Sequence, residues 1–328
     1  MSVVQVSETS PPARITSRFD RNATAADVLQ GISLHGKTAL VTGGGLGIGH
    51  ATACALAQAG AYVVVADVNA AQSEAAVAAF LLHAPAARME YRPLDLGSLQ
   101  SVRDFAAAFL QHADTLDLLI NNAGIMACPQ AYTVDGHERQ FGVNFLGHYA
   151  LTRALLPALT RRPGARLVSV SSIGHRRSDV HYEDVDYKAR PYDRWEAYGQ
   201  SKTACALLAV AADALLRPHG GSANAVNPGG SPTGLHQYLS DDERRAQGWL
   251  DGEGKIPARW RAPAQCAATS TWLASAPELA GVGGRYCEEC QQAVPWRAEE
   301  PMVGVRPYAI SPENAQRLWE CAGAMTGF

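Results

Sequence analysis

From residue 37 onward, short apolar runs alternate with longer stretches whose apolar residues recur at helical spacing. Residues 38–42, 62–66, 89–94, 116–120, 166–170, 223–226 and 285–287 read as seven strands, and residues 48–59, 70–82, 141–159 and 195–216 as helices. The run YVVVA at 62–66 shows no apolar–polar alternation, which predicts a strand buried on both faces. Strands alternating with helices imply an α/β fold, a doubly wound parallel seven-stranded sheet with helices on both faces.

The rhythm breaks in four places. Residues 1–36 read as an N-terminal arm and 291–328 as a C-terminal extension with a helix. Between them, residues 37–290 read as one domain. Within it the polar segment 174–194 and the charged segment 230–263, which holds Trp249 and Trp260, interrupt the pattern. Long insertions after strands in such sheets are where substrate loops sit.

Composition narrows the classes. Of 328 residues, 47% are hydrophobic and 18% charged, enough for a large core. Net charge is −3, so no basic field exists for nucleic acid or an anionic membrane. Residues 1–12 are polar, without the apolar run of an export signal, and the apolar stretch 51–68 is interrupted by Gln58, Gly60 and Asp67. Seven dispersed cysteines suit a reducing compartment, so a cytoplasmic location is expected. Cys287 and Cys290 form a lone CxxC without a second pair, and the ten histidines show no ligand spacing, so buried thiols and no metal site are expected.

The first strand runs into Thr42-Gly43-Gly44-Gly45-Leu46-Gly47-Ile48-Gly49 and then a helix. Glycines allow a tight turn and close approach of a pyrophosphate, and the helix N-terminus offers free N–H groups. Asp67 ends the second strand, where a carboxylate can accept from both adenosine ribose hydroxyls and repel a 2′-phosphate. Leu46 brings no positive charge. These features favour NAD over NADP.

Tyr198 and Lys202 are spaced i, i+4 on one helix, so both project from one face. A phenol, with an ordinary pKa of about 10, is a poor base at neutral pH. A neighbouring ammonium favours the phenolate, as proton removal from an alcohol requires. Ser171-Ser172 closes the fifth strand, Asn121-Asn122-Ala123-Gly124 the fourth, and Pro228-Gly229 the sixth, with Thr233 four residues on.

Together these motifs resemble the short-chain dehydrogenase/reductase family: TGGGLGIG (42–49), Asp67, Asp95-Leu96, NNAG (121–124), Asn144 in QFGVNFLGH, SVSS (169–172), YGQSK (198–202) and NPGGSPTGL (227–235). The resemblance spans residues 37–290 and implies a Rossmann-type fold. It implies a tetrad of Asn144, Ser172, Tyr198 and Lys202. In it Tyr198 is general acid/base, Ser172 positions the substrate oxygen, Lys202 binds the nicotinamide ribose, and Asn144 holds a relay water. Cofactor contacts are implied for Gly43, Leu46, Gly47, Ile48, Gly49, Asp67, Asp95, Leu96, Asn122, Ala123, Gly124, Tyr198, Lys202, Pro228, Gly229 and Thr233. The gap from Ser172 to Tyr198 and the run GRYCEECQ resemble the retinol-dehydrogenase-like and WW-domain-oxidoreductase-like branch. That branch often has a basic residue where Asp67 stands, and its usual NADP preference is therefore not expected here. Relatives are often homodimers or homotetramers built on the helices carrying Asn144 and Tyr198.

The expected reaction is hydride transfer between nicotinamide and an alcohol or ketone carbon, with Trp195, Trp249 and Trp260 favouring a bulky apolar substrate. Nucleotide-sugar epimerases and dehydratases on this scaffold space their glycines GxxGxxG, whereas Gly43 opens GxxxGxG. A non-catalytic NAD-binding sensor would commonly lack the tyrosine or lysine. His175 is expected to be a solvated loop residue, His148 a structural one, and Arg176, Arg177, Arg244 and Arg245 solvated loop charges.

Overall fold

The computed structural model describes residues 14–328, so the reading of residues 1–12 lies outside the described residues. Seven parallel strands, β1 (Thr38–Thr42), β2 (Tyr62–Asp67), β3 (Arg88–Pro93), β4 (Leu118–Asn121), β5 (Arg166–Val170), β6 (Ser222–Asn227) and β7 (Tyr286–Glu288), take the order 3-2-1-4-5-6-7. An eighth, β8 (Gln291–Gln292), pairs antiparallel with β7 and corrects the seven-stranded expectation. The two-residue turn between them explains the miss. It needs φ > 0 at both positions, a geometry signalled by Asn-Gly or Asp-Gly. Here Glu289 (φ 50°) and Cys290 (φ 54°) adopt it, and the Cys290 amide donates to Thr269 Oγ1 at 3.0 Å.

Helices cover both faces: α1 (Ala25–Leu29), α2 (Gly47–Gln58), α3 (Ala70–His83), α4 (Leu99–His112), α5 (Arg139–Phe141), α6 (Gly147–Leu159), α7 (Arg194–Leu216), α8 (Asp241–Ala246), α9 (Pro263–Ser275) and α10 (Pro312–Thr326). On one side, Leu56 of α2 and Trp272 of α9 pack on Val41 and Val63; on the other, α4 and α6 pack on Leu40 and Leu119. The sequence reading passed over α4. Its signals are present: Ser98 caps its N-terminus, and Leu99, Val102, Phe105, Ala106 and Phe109 lie buried at helical spacing.

Residues read as an arm are tied down. The Gln292 amide donates to the Ile15 carbonyl at 2.8 Å, and Thr24 and Asp27 form a capping box on α1. At the other end α10 lies over α6 and α7, where Trp319 meets Tyr149 edge-on at 4.7 Å. Among the described residues, no helix is long and apolar enough to cross a membrane.

Candidate active site

Strand order reverses between β1 and β4, so the chain leaving β1 and the chain leaving β4 turn to opposite faces of the sheet and open a crevice at the strand ends. On the β1 side lies the glycine loop. Gly43 has φ 63°, and a Cβ there would lie 2.7 Å from Ala123 Cα. A Cβ on Gly49 would collide with the Gly43 carbonyl oxygen and the Asn122 amide. Asn122 locks the loop to β4: its Nδ2 donates to the Thr42 and Gly43 carbonyls at 2.9 and 3.2 Å. Thr42 Oγ1 in turn accepts from the Asn122 and Ala123 amides. Leu46 is the N-cap of α2 and offers no side-chain cap, so the first amides of α2 stay open to a ligand. Asp67 Oδ2 accepts from the Gly45 amide at 3.2 Å.

Across the crevice the four expected catalytic side chains converge. The point where a Cβ on Gly174 would sit is 2.7 Å from Tyr198 Cε1 and 3.4 Å from Ser172 Oγ. The corresponding point on Gly124 is 3.1 Å from Asn144 Oδ1 and 3.3 Å from Lys202 Nζ. Tyr198 and Lys202 come from buried positions of α7, and Asn144 is buried too. Asn144 sits in a π-helical turn, Gly142–Leu146, between α5 and α6, where the sequence pattern predicts unbroken α-helix. Such single turns are frequent at functional sites. Its side chain is committed: Oδ1 accepts from the Ile125 amide at 2.8 Å, and Nδ2 donates to the Ile125 carbonyl and Ser201 Oγ, each at 2.9 Å.

Thr233 Cγ2 lies 3.0 Å from where a Gly47 Cβ would be. Arg261 Nη2 donates to the Pro228 carbonyl at 2.9 Å and packs under Gly229. Asp95 is exposed and accepts from the Gly97 amide at 2.8 Å, while Leu96 is buried against Gly147. Trp195, Trp249, Trp260 and His236 form one aromatic cluster, with Trp249 at 5.9 Å from Trp195, 4.8 Å from His236 and 5.7 Å from Trp260. His236, Trp249 and Trp260 line a cleft of about 460 Å³ that also touches Leu46, Gly47 and Thr233.

A family model described as short chain dehydrogenase matches residues 37–244. The chain belongs to the short-chain dehydrogenase/reductase family. A "Probable oxidoreductase" of Streptomyces antibioticus is 41% identical over 88% of this chain and 97% of that one. Human retinol dehydrogenase 13 is 35% identical over 90% and 86%. A crystal structure of a protein from Mycobacterium paratuberculosis superposes with a TM-score of 0.71 at 33% identity, covering 93% of this chain and 98% of that chain. This short-chain dehydrogenase/reductase is thus an oxidoreductase on a Rossmann-type nucleotide-binding fold, near the retinol-dehydrogenase-like branch.

Several expectations about single residues in this oxidoreductase change. His175 is not a solvated loop residue: its exposure is 0%, because the C-terminal extension covers it. Arg244 is braced on the Leu239 carbonyl at 3.1 Å, whereas Arg245 is exposed and pairs with Asp242. Arg176 is half-buried, whereas Arg177 is exposed as expected, with its guanidinium over the Trp195 ring at 5.2 Å. His148 is structural: Nδ1 donates to the Asn144 carbonyl and Nε2 accepts from Thr42 Oγ1, both at 2.8 Å. Burial pushes its imidazole down to about 4. Cys287 and Cys290 are buried, and burial pushes their thiols up to about 12 and about 11. Gln140 escaped notice. Its Oε1 accepts from the amide of Ala127 at 2.8 Å, and Ala127 sits at φ 52° beside Tyr198. A polar residue inside the apolar spacing around Phe141 was the available signal.

Proposed function

We propose that this oxidoreductase transfers a hydride between the nicotinamide of NAD and the CH–OH or C=O carbon of a bulky apolar alcohol or ketone. The observation that carries the reading is the convergence of Ser172 Oγ and the Tyr198 ring at Gly174, and of Lys202 Nζ and Asn144 at Gly124. The glycine cradle fits a dinucleotide: its Cβ positions are filled by backbone or neighbouring side chains, and the open amides of α2 suit a pyrophosphate. For NAD over NADP, the support is the Asp67 carboxylate, followed by Val68, Asn69 and Ala70 without a cation.

When bound, the nicotinamide supplies or takes up the hydride. Ser172 Oγ accepts from the Gly174 amide at 3.0 Å, which leaves its own O–H to donate to the substrate oxygen. Tyr198 gives or removes the proton on that oxygen. Lys202 Nζ is anchored on the Val170 carbonyl at 3.0 Å and lies 5.8 Å from the centre of the Tyr198 ring. Its remaining N–H groups are free for the nicotinamide ribose. Asn144 holds the Ile125 peptide and Ser201 Oγ with its side chain, and its main-chain carbonyl accepts from His148 Nδ1 and Cys205 Sγ, so its role is to position these groups.

Support for the substrate class comes from the apolar side chains Met126, Ala127, Leu239, Trp195, Leu235 and Trp249, which pack with Tyr198; His236, Gln237 and Arg244 add polar groups to the cleft beside Trp249. The relative named retinol dehydrogenase has an apolar alcohol in its name, which supports the same class. The test is NADH formation from NAD and a panel of secondary alcohols. Tyr198→Phe should lower turnover about a thousandfold while NADH binding, read by fluorescence, survives. Near-normal turnover in that variant refutes the assigned base.

A further inference from the structure

His175 lies three residues beyond Ser172, in the turn Ile173–Arg177, and every polar atom it owns is engaged. Its Nδ1 is 2.7 Å from the Ser172 carbonyl, which also accepts the His175 amide at 3.0 Å. Tyr286 Oη stands 3.1 Å from the same nitrogen. On the far side of the ring, Nε2 accepts from the Arg306 backbone amide at 3.1 Å. The His175 carbonyl accepts from Thr203 Oγ1 at 3.1 Å and from Tyr308 Oη at 2.9 Å. Thr203 is the neighbour of Lys202 on α7. A carbonyl can only accept and an amide can only donate, so the tautomer is settled: the proton is on Nδ1 and the lone pair on Nε2. Burial, together with Arg306 and Arg176 nearby, pushes the imidazole down to about 4, which keeps it neutral.

We infer that His175 is a positioning residue: its Nδ1–H holds the Ser172 peptide, and with it the serine hydroxyl, while the Arg306 amide of the C-terminal extension holds the ring. This rests on the proposed role of Ser172. Residues beyond the glycine-loop domain thereby become part of the support of the reacting centre. A histidine that merely filled space would not need both ring nitrogens and its carbonyl tied to the serine turn, the catalytic helix and the extension.

A double-mutant cycle tests it. Asn places an amide N–H where Nδ1 stands, and Gln places an amide oxygen where Nε2 stands. His175→Gln should lower kcat about tenfold, the worth of one hydrogen bond, with cofactor KM within about twofold. His175→Asn should keep most of kcat, which rescues the role with a conservative change. In a Ser172→Ala background, followed by single turnover, His175→Gln should cost less than about twofold more, because the two residues act as one unit. Equal losses in both backgrounds, or an Asn variant as slow as the Gln variant, overturns the inference. A second readout uses free protein labelled with 15N-histidine. The resonance missing from both variants should carry Nδ1–H and a bare Nε2 from about pH 5 to 8; protonated Nε2 or titration in that range overturns it. Full turnover by Ser172→Ala would instead sink the assignment of the serine, while the tautomer still reports whether the ring grips the Ser172 peptide.

Discussion

The two walls of the crevice are built by different means. The wall proposed for the cofactor, from β1 through Gly124, is made of backbone: glycines whose missing Cβ atoms let Thr42, Asn122 and Ala123 close on one another. The wall proposed for the substrate is made of side chains gathered from far apart in sequence, with Trp195 at the start of α7 and His236, Trp249 and Trp260 in the segment 230–263. Arg194 and Glu243 join the two parts of that wall as an ion pair. Backbone geometry tolerates little change and serves one invariant ligand. Side-chain packing is easily varied and sets which substrate fits.

Four measurements probe that contrast. The largest effect cuts across it, because each wall is backed by one buried neutral imidazole, His148 behind Thr42 and His175 behind Ser172. Both are pushed down to about 4 from 6.5. The unfolded chain therefore takes up protons first, and stability is complete above about pH 6.5 and lost as pH falls towards about 4, by up to roughly 3 kcal/mol for each ring. Denaturant unfolding at about pH 5 should show a protein weaker by a few kcal/mol than at about pH 7; a flat profile would contradict the buried neutral state of both rings.

Next comes Gly49→Ala. Its Cβ would meet backbone that cannot retreat, and the Kd for NAD should rise at least about a hundredfold, or about 2.7 kcal/mol. Unchanged affinity would show that the loop is softer than the contrast requires. Trp249→Ala strikes the other wall. The kcat/KM for a bulky apolar alcohol should fall about thirtyfold, about 2 kcal/mol, with a small alcohol changed less than about threefold. Equal losses for both alcohols would mean that the indole supports the fold rather than selecting substrate. The smallest effect is a refinement of the cofactor wall: Asp67→Ser should move the ratio of NAD to NADP efficiency about tenfold towards NADP, and no movement would remove the carboxylate from cofactor choice.

Legibility in the sequence follows the same division. The glycine loop, Asp67, the strand-end Asn122 and Ser172, and the Tyr198–Lys202 pair were visible because each depends on spacing along a few residues. The β7–β8 hairpin was not, since Glu289 and Cys290 take positive φ without the residues that announce it. The π-turn under Asn144 was not, since Gly142–Leu146 keeps a helical pattern of apolar residues. His175 was misread because nothing local shows that Arg306 and Tyr308, about 130 residues later, cover it.

What the sequence determined by itself was the alternation of strands and helices, the parallel sheet, and the order in which chemistry-bearing strand ends arrive. Periodicity and backbone freedom act between near neighbours, and such rules can be read from one chain. The tertiary structure alone decided which groups lose water, which tautomer a ring holds and which aromatics meet above Tyr198. Desolvation and hydrogen-bond partnership depend on whatever part of the chain comes to lie on top, and in this fold that part is distant.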